Sequence, residues 1–251
     1  MLPLKQAFTA LALSLGALGA SAAQAGEAMI AAAANFTDAA REIGAAFEKT
    51  TGHKAIFSFG STGLIYAQIV QDAPFDVFLS ADREQARKAV EIGRGVEDTR
   101  FTYATGRIVL FSRDPALVTG GDTLRAGNFT RLAIANPETA PYGSAAIETM
   151  KALRVHDLVS GRVVQGKNIA QAYQFVATGN AELGFVALSQ IVNNTDGSRW
   201  LVPEDLHTPI RQDAVLLRKA AGNEAARAFL AFLKGPEARA IMEKHGYGTG
   251  E

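Results

Sequence analysis

Short apolar runs alternate with amphipathic segments along most of the chain. The apolar runs predict buried strands at residues 29–34, 55–59, 75–79, 107–111, 132–135, 162–164, 183–187 and 214–217. Helical spacing of apolar residues predicts helices at residues 37–51, 62–71, 83–92, 144–153, 168–177, 224–233 and 236–245. This alternation predicts a parallel, doubly wound α/β sheet, with a second α/β unit beginning near Thr105.

Two of the predicted strands end in small polar residues just where a helix is predicted to begin. The segment AAAANFT at residues 31–37 places Asn35 at such a junction, and FSFGSTG at residues 57–63 places Ser61 and Thr62 at another. A helix N-terminus has unpaired backbone N–H groups and a partial positive charge, and both attract anions. Together the two junctions predict an anion site without lysine or arginine, although either one alone fits an ordinary N-cap.

The first 25 residues have the features of a secretory signal peptide. Lys5 gives a positive start, residues 7–20 are apolar, and Ala23-Gln24-Ala25 fits the cleavage pattern of small residues. The apolar part is short for a membrane span, and no later segment has 18 consecutive apolar residues. We therefore expect cleavage after about Ala25 and a soluble product in the periplasm, without membrane insertion.

The amino-acid composition excludes several kinds of functional site. The chain has no cysteine, which excludes disulfides, thiolate metal sites, cysteine nucleophiles and a lipid anchor on an N-terminal cysteine. Acidic and basic residues balance at 25 each, and removing Lys5 with the leader leaves a net charge of −1. Without a basic run, nothing in the sequence points to nucleic acid or to an anionic membrane.

Six motifs follow one another along the mature chain: AAANFTDA (32–39), FGSTG (59–63), PFDVFLSAD (74–82), LAIANPE (132–138), LGFV (183–186) and FLKGPEA (232–238). In this order they resemble the periplasmic molybdate-binding proteins of ABC transporters, and the resemblance covers essentially the whole mature chain. It implies a type II periplasmic binding protein fold, in which two doubly wound α/β lobes joined by a two-segment hinge close over a tetrahedral oxyanion. The first lobe would comprise residues 26–103 and 198–251, and the second residues 104–197.

The resemblance also implies a ligand, a partner and a set of binding residues. The ligand would be molybdate or tungstate, the partner a membrane permease, and the protein a monomer that needs no cofactor. The implied ligand-binding residues are Asn35 through its amide, Thr62 through its hydroxyl with Ser61 as the neighbouring alternative, and Tyr142 and Ile169 through their backbone N–H groups.

One position departs from the family pattern. Many members carry a ligand-binding tyrosine directly after the LGFV strand, where this chain has Ala187. We expect the phenol of Tyr142 to supply the missing hydroxyl from the opposite loop, and Ala187 is not expected to contact the ligand.

Other functions remain open from the sequence. A receptor for sulfate, phosphate or an organic anion would use the same fold, and a ligand-sensing domain of a transcription regulator can share it. A secreted serine hydrolase is a further alternative, although GSTG does not fit the nucleophile elbow G-x-S-x-G and the four histidines lack metal-ligand spacing. Asp76 and Asp82 are possible metal ligands by residue type, but Asp82 fits an N-cap better.

Overall fold

The computed structural model describes residues 25–249, so the predicted signal peptide lies outside the described residues except for Ala25. The strands are β1 Glu27–Ala33, β2 Lys54–Gly60, β3 Val77–Leu79, β4 Phe101–Gly106, β5 Ile108–Ser112, β6 Leu132–Ala135, β7 Val163–Gly166, β8 Leu183–Ala187, β9 Ser198–Leu201, β10 Ile210–Leu216 and β11 Gly248–Thr249. The helices are α1 Thr37–Thr51, α2 Thr62–Val70, α3 Glu84–Glu91, α4 Asp122–Ala126, α5 Pro141–Ala152, α6 His156–Val159, α7 Ile169–Ala177, α8 Leu188–Ile191, α9 Glu224–Leu233 and α10 Pro236–Lys244.

The strands form two sheets, one in each of two α/β lobes, which confirms the predicted architecture. The first sheet has the order β11-β4-β10-β3-β1-β2, and the second has the order β7-β6-β8-β5-β9. Only the cores β2-β1-β3 and β7-β6-β8 are parallel. The predicted parallel pairing is confirmed in these cores, and the remaining strands pair antiparallel, which makes both sheets mixed.

The antiparallel strands follow from the way the chain passes between the lobes. It leaves the first lobe through β4 and returns through β10, so these two neighbours must run in opposite directions. In the second lobe the entering strand β5 likewise pairs antiparallel with the leaving strand β9. The crossings lie at Arg107 and at residues 202–209. Strand pairing therefore places residues 104–106 with the first sheet and residues 198–201 with the second, a shift of a few residues from the predicted lobe boundaries.

The lobes are in contact around the carboxyl ends of their parallel strands. The Gly63 N–H of the first lobe donates to the Thr139 carbonyl of the second at 2.9 Å. The Ser189 hydroxyl of the second lobe donates to the Asn35 carbonyl of the first at 2.8 Å. The structure is thus a closed form, and the space between the lobes is shielded from solvent at this point. None of the helices within residues 25–249 combines the length and apolar character needed to cross a membrane.

Candidate anion-binding site

The five residues proposed from the sequence line a single small cavity between the lobes. With the space at its open side included, its empty volume is about 200 Å³. From the first lobe, the segments after β1, β2 and β3 contribute its wall, and from the second lobe the first turns of α5 and α7 do so. The lining residues are Ala33, Ala34, Asn35, Gly60, Ser61, Thr62, Ala81, Ala140, Pro141, Tyr142, Asn168 and Ile169.

The neighbouring hydroxyls of Ser61 and Thr62 have different surroundings. Ser61 occupies the N-cap position of α2, but its side chain makes no capping hydrogen bond. Its Oγ is buried and has no partner among the described residues. Thr62 Oγ1 instead accepts the Ala81 N–H at 3.0 Å, which fixes the segment after β3 and leaves the hydroxyl proton free. A buried hydroxyl without a partner is costly, so Ser61 is the stronger candidate for a ligand contact.

Two helix N-termini of the second lobe point their first N–H groups at the cavity. Tyr142 lies in the first turn of α5, which begins at Pro141, three residues earlier than predicted, with proline at the position that best tolerates it. Ile169 is the first residue of α7, whose N-cap Asn168 accepts the Gln171 N–H at 3.0 Å. Neither the Tyr142 nor the Ile169 N–H has an acceptor among the described residues. Both are therefore free to bind an anion.

The Asn35 side chain makes hydrogen bonds within the protein. Its Nδ2 donates to Gln212 Oε1 at 3.0 Å and to the Tyr247 hydroxyl at 3.1 Å. The Asn35 carbonyl accepts from Tyr247 at 2.6 Å and from Ser189. Both amide N–H groups have acceptors in the protein, so the amide holds the loop after β1 in place.

The phenol of Tyr142 is buried at the back of the cavity. The residue is 2% exposed, and its Oη has no hydrogen-bond partner among residues 25–249. Burial raises the pKa of this phenol well above its ordinary value, and the neighbouring Tyr247 adds to the increase. The group therefore stays protonated and keeps a proton to donate. Ala187 packs in the same buried cluster, and its N–H donates to Gln190 Oε1.

No lining residue of this cavity, as far as the described chain shows, carries a charged side chain. The nearest carboxylate in sequence is Asp82, which caps α3 by accepting the Gln85 N–H at 2.7 Å. Burial raises the pKa of Asp82. Asp76 accepts the Met29 N–H at 2.7 Å and faces Asn223. Both aspartates thus have structural partners; Asp82 supplies a hydrogen bond to the first turn of α3, although the N-cap position itself falls on Arg83.

A wider groove adjoins the cavity and opens to solvent. It has about 1270 Å³ of empty space and shares Ala81, Ala140 and Pro141 with the small cavity. Its walls carry acidic and basic side chains, including Glu84, Glu138 and Arg211. A small dianion would be both repelled and attracted there, so the groove is the mouth of the cleft, and the donor-lined cavity behind it is the candidate site.

Sequence reasoning missed the polar residues behind the cavity. Gln212 lies in β10, is fully buried, and accepts from Asn35 and from the Tyr103 hydroxyl. Tyr247 follows α10 near the end of the described chain and reaches Asn35. The only signal in the sequence was a glutamine beside an apolar strand, which does not identify its partners.

Replacing Gly106 by alanine should displace side chains behind the cavity without removing any hydrogen-bonding group. A Cβ at Gly106 would lie 2.2 Å from Tyr142 Oη and 2.6 Å from Gln212 Nε2, so the phenol or the amide must move. Overpacking of this kind costs about 1–3 kcal/mol, and we expect a lower melting temperature together with about tenfold weaker ligand binding. Gly161→Ala is the matched control, because nothing lies within 4 Å of its new methyl group. Equal behaviour of the two variants would contradict the close approach.

Two α/β lobes closed over a small cavity lined by hydrogen-bond donors define an extracellular solute-binding protein. The model of the bacterial extracellular solute-binding protein family matches residues 28–248, and the chain belongs to this family. Two relatives, both named molybdate-binding protein ModA, are each 51% identical to the chain. The one from Rhodobacter capsulatus aligns over 98% of this chain and 97% of its own length, and the one from Azotobacter vinelandii over 95% and 96%.

Solved structures agree with this assignment. The periplasmic molybdate-binding protein of Azotobacter vinelandii superposes with a TM-score of 0.86 at 37% identity, covering 89% of this chain and all of that one. The sulfate-binding protein SubI of Mycobacterium tuberculosis superposes with a TM-score of 0.74 over 89% of this chain and 86% of its own, at 14% identity. The second match shows a shared fold only.

Proposed function

We propose that this chain is the substrate-binding component of an ABC transporter and captures molybdate, and also tungstate, in the periplasm. After cleavage near Ala25, it closes around one oxyanion as a monomer and delivers it to a membrane permease, without a cofactor and without catalysis. The observation that supports this most strongly is the cavity itself, where the hydroxyls of Ser61 and Tyr142 have no partner among residues 25–249 and no carboxylate belongs to the described lining. The ModA relatives support the choice of ion.

The donors of the cavity match the chemistry of molybdate. Molybdate at neutral pH is a dianion with four acceptor oxygens and no proton, so a site made of donors alone satisfies it. The N-termini of α2, α5 and α7 meet at the cavity, and each contributes a partial charge of roughly +0.5. These charges and the hydrogen bonds of the cavity oppose the dianion without lysine or arginine.

The same arrangement accounts for selectivity. Hydrogen phosphate carries a proton that needs an acceptor, and the described lining offers it no carboxylate, the strongest acceptor a side chain provides. Sulfate carries no proton and must be rejected by size, since its bonds to oxygen are shorter and cannot reach all donors at once. Molybdate and tungstate are nearly equal in size, so we propose that both bind.

We assign each proposed site residue either a contact with the oxyanion or a structural role in the cavity wall. The Ser61 hydroxyl is the principal side-chain donor of the first lobe, and Thr62 adds its free proton while holding Ala81. Tyr142 contributes its backbone N–H and its phenol, and Ile169 its backbone N–H. Asn35 shapes the wall of the cavity through its bonds to Gln212 and Tyr247.

A thermal-shift panel tests the proposal. A ligand that binds only the folded state stabilises it by mass action, so molybdate and tungstate should raise the melting temperature at concentrations where sulfate, phosphate and nitrate leave it unchanged. A shift with sulfate or phosphate alone would overturn the assignment of the ion. Hydrolysis of a p-nitrophenyl ester by the pure protein, lost in Ser61→Ala, would overturn the non-catalytic part.

A further inference from the structure

A chain of buried polar side chains runs behind the cavity, and its hydrogen bonds have a fixed direction. Tyr247 donates its proton to the Asn35 carbonyl at 2.6 Å. Its oxygen is therefore the acceptor for Asn35 Nδ2 at 3.1 Å, which fixes the orientation of the Asn35 amide. The second Asn35 N–H then donates to Gln212 Oε1 at 3.0 Å.

The orientation of the Gln212 side-chain amide is fixed in the same way. Its Oε1 accepts a second hydrogen bond from the Tyr103 hydroxyl at 3.0 Å. With two donors on the carbonyl oxygen, the amide cannot be turned round without leaving both of them facing an N–H group. Nε2 must point away from Asn35 and Tyr103. It is buried and has no acceptor among the described residues.

The phenol of Tyr142 lies close to Nε2. Tyr142 Oη and Gln212 Nε2 both lie within 2.6 Å of one point, the position of a Cβ on Gly106. Each atom is buried, and each lacks another partner in the part of the chain that the structure describes. A small shift of either side chain brings the amide N–H onto the phenol oxygen, and burial favours that bond because two unpaired polar groups are satisfied at once.

We propose that Gln212 determines the specificity of the site by holding Tyr142 Oη as a donor only. With the Gln212 N–H on its oxygen, the phenol directs its own proton into the cavity and offers no acceptor there. A fully deprotonated oxyanion is bound, and an oxyanion that carries a proton finds no acceptor at this wall. The inference rests on the proposed function, because it assigns to Gln212 the task of keeping the Tyr142 phenol a hydrogen-bond donor toward the bound oxyanion.

A comparison of sulfate with phosphate distinguishes selection by the ion's protonation from selection by its size. The two ions are similar in size, but phosphate at neutral pH always carries at least one proton and sulfate carries none. Gln212→Met keeps the length of the side chain and removes the donor, which frees an acceptor lone pair on Tyr142 Oη; it also removes the oxygen that accepts from Asn35 and Tyr103, a loss that affects all oxyanions alike. We expect molybdate and sulfate to lose affinity by similar factors, and the ratio of sulfate to phosphate affinity to fall at least tenfold. Calorimetric titration gives the affinity for molybdate, and competition against molybdate gives the affinities for sulfate and phosphate.

A double-mutant cycle with Tyr142→Phe tests whether Gln212 acts through the phenol. When Tyr142→Phe is already present, adding Gln212→Met should leave the sulfate to phosphate ratio unaltered and should cost less molybdate affinity than it does alone, the remaining loss coming from the acceptor that Asn35 and Tyr103 lose. Gln212→Glu provides a second variant, since its carboxyl group replaces the N–H donor by an acceptor that draws the phenol proton away from the cavity. It should weaken molybdate binding more than Gln212→Met does. Melting temperatures of the ligand-free variants establish that they are folded.

The outcomes separate the inference from the function on which it rests. Equal losses from Gln212→Met with and without the Tyr142→Phe change, or an unchanged sulfate to phosphate ratio, would overturn the role of Gln212 while molybdate still binds to the unaltered protein. Absence of molybdate binding by the unaltered protein would overturn the proposed function itself.

Discussion

Replacing Ser61 by alanine is expected to weaken molybdate binding by about tenfold to a hundredfold and to leave the free protein as stable as before. A hydrogen bond to a charged partner contributes about 1.5–3 kcal/mol, and each 1.4 kcal/mol corresponds to about tenfold in affinity. In the free protein the Ser61 hydroxyl is buried without a partner among the described residues, so its removal sacrifices no contact of the fold. Calorimetry gives the affinity, and thermal unfolding without ligand gives the stability.

Thr62→Val is the matched control for this change. Its hydroxyl accepts the Ala81 N–H, so removing it leaves a buried donor unpaired and lowers the stability of the ligand-free protein, whereas Ser61→Ala does not. If Ser61→Ala bound molybdate with unchanged affinity while Thr62→Val did not, the hydroxyl contact would belong to Thr62, and its assignment to Ser61 would be wrong.

Ile169→Pro is expected to weaken molybdate binding about as much as Ser61→Ala does, because it removes a single backbone N–H. Proline is well tolerated at the first position of a helix, which Ile169 occupies in α7. The preceding residue Asn168 has φ −153° and ψ 178°, an extended conformation that suits a residue before proline. Loss of a charge-assisted hydrogen bond again costs about 1.5–3 kcal/mol, which corresponds to about tenfold to a hundredfold in the calorimetric affinity.

Ile169→Val controls for the lost side chain, because it keeps the N–H and most of the buried surface. It should bind molybdate within about threefold of the unaltered protein, since trimming one buried methyl group costs about 0.5–1.5 kcal/mol of fold stability and removes no ligand contact. Equal affinities of the proline and valine variants would show that the Ile169 N–H does not reach the ion.

The candidate site was predictable from the sequence where its determinants are local. The ends of β1 and β2 and the starts of α5 and α7 are encoded by short runs in which apolar residues give way to small polar ones. The carboxyl ends of parallel strands meet at one edge of a sheet, so Asn35 and the Ser61-Thr62 pair were expected together, and the structure places them in one cavity. Tyr142 and Ile169 came from the family resemblance and line the same cavity.

The features that the sequence could not predict depend on contacts between distant residues. The use of the Asn35 amide is decided by Gln212 and Tyr247, which are 177 and 212 positions away, and no local pattern reports such pairs. The choice between Ser61 and Thr62 depends on the approach of Ala81 from another strand. Strands β4 and β9 escaped prediction because their residues are less uniformly apolar, and their antiparallel pairing comes from the double crossing between lobes.

The central claim is that the closed cavity binds a fully deprotonated oxyanion of the size of molybdate through donors alone. Calorimetric titration of the mature chain, residues 26–251, with molybdate tests it most directly, with sulfate or phosphate present in excess as competitor. The account predicts saturable binding of one molybdate ion per chain, displaced by tungstate at comparable concentrations and by sulfate or phosphate only at far higher ones. Saturable binding of sulfate or phosphate without binding of molybdate would contradict it.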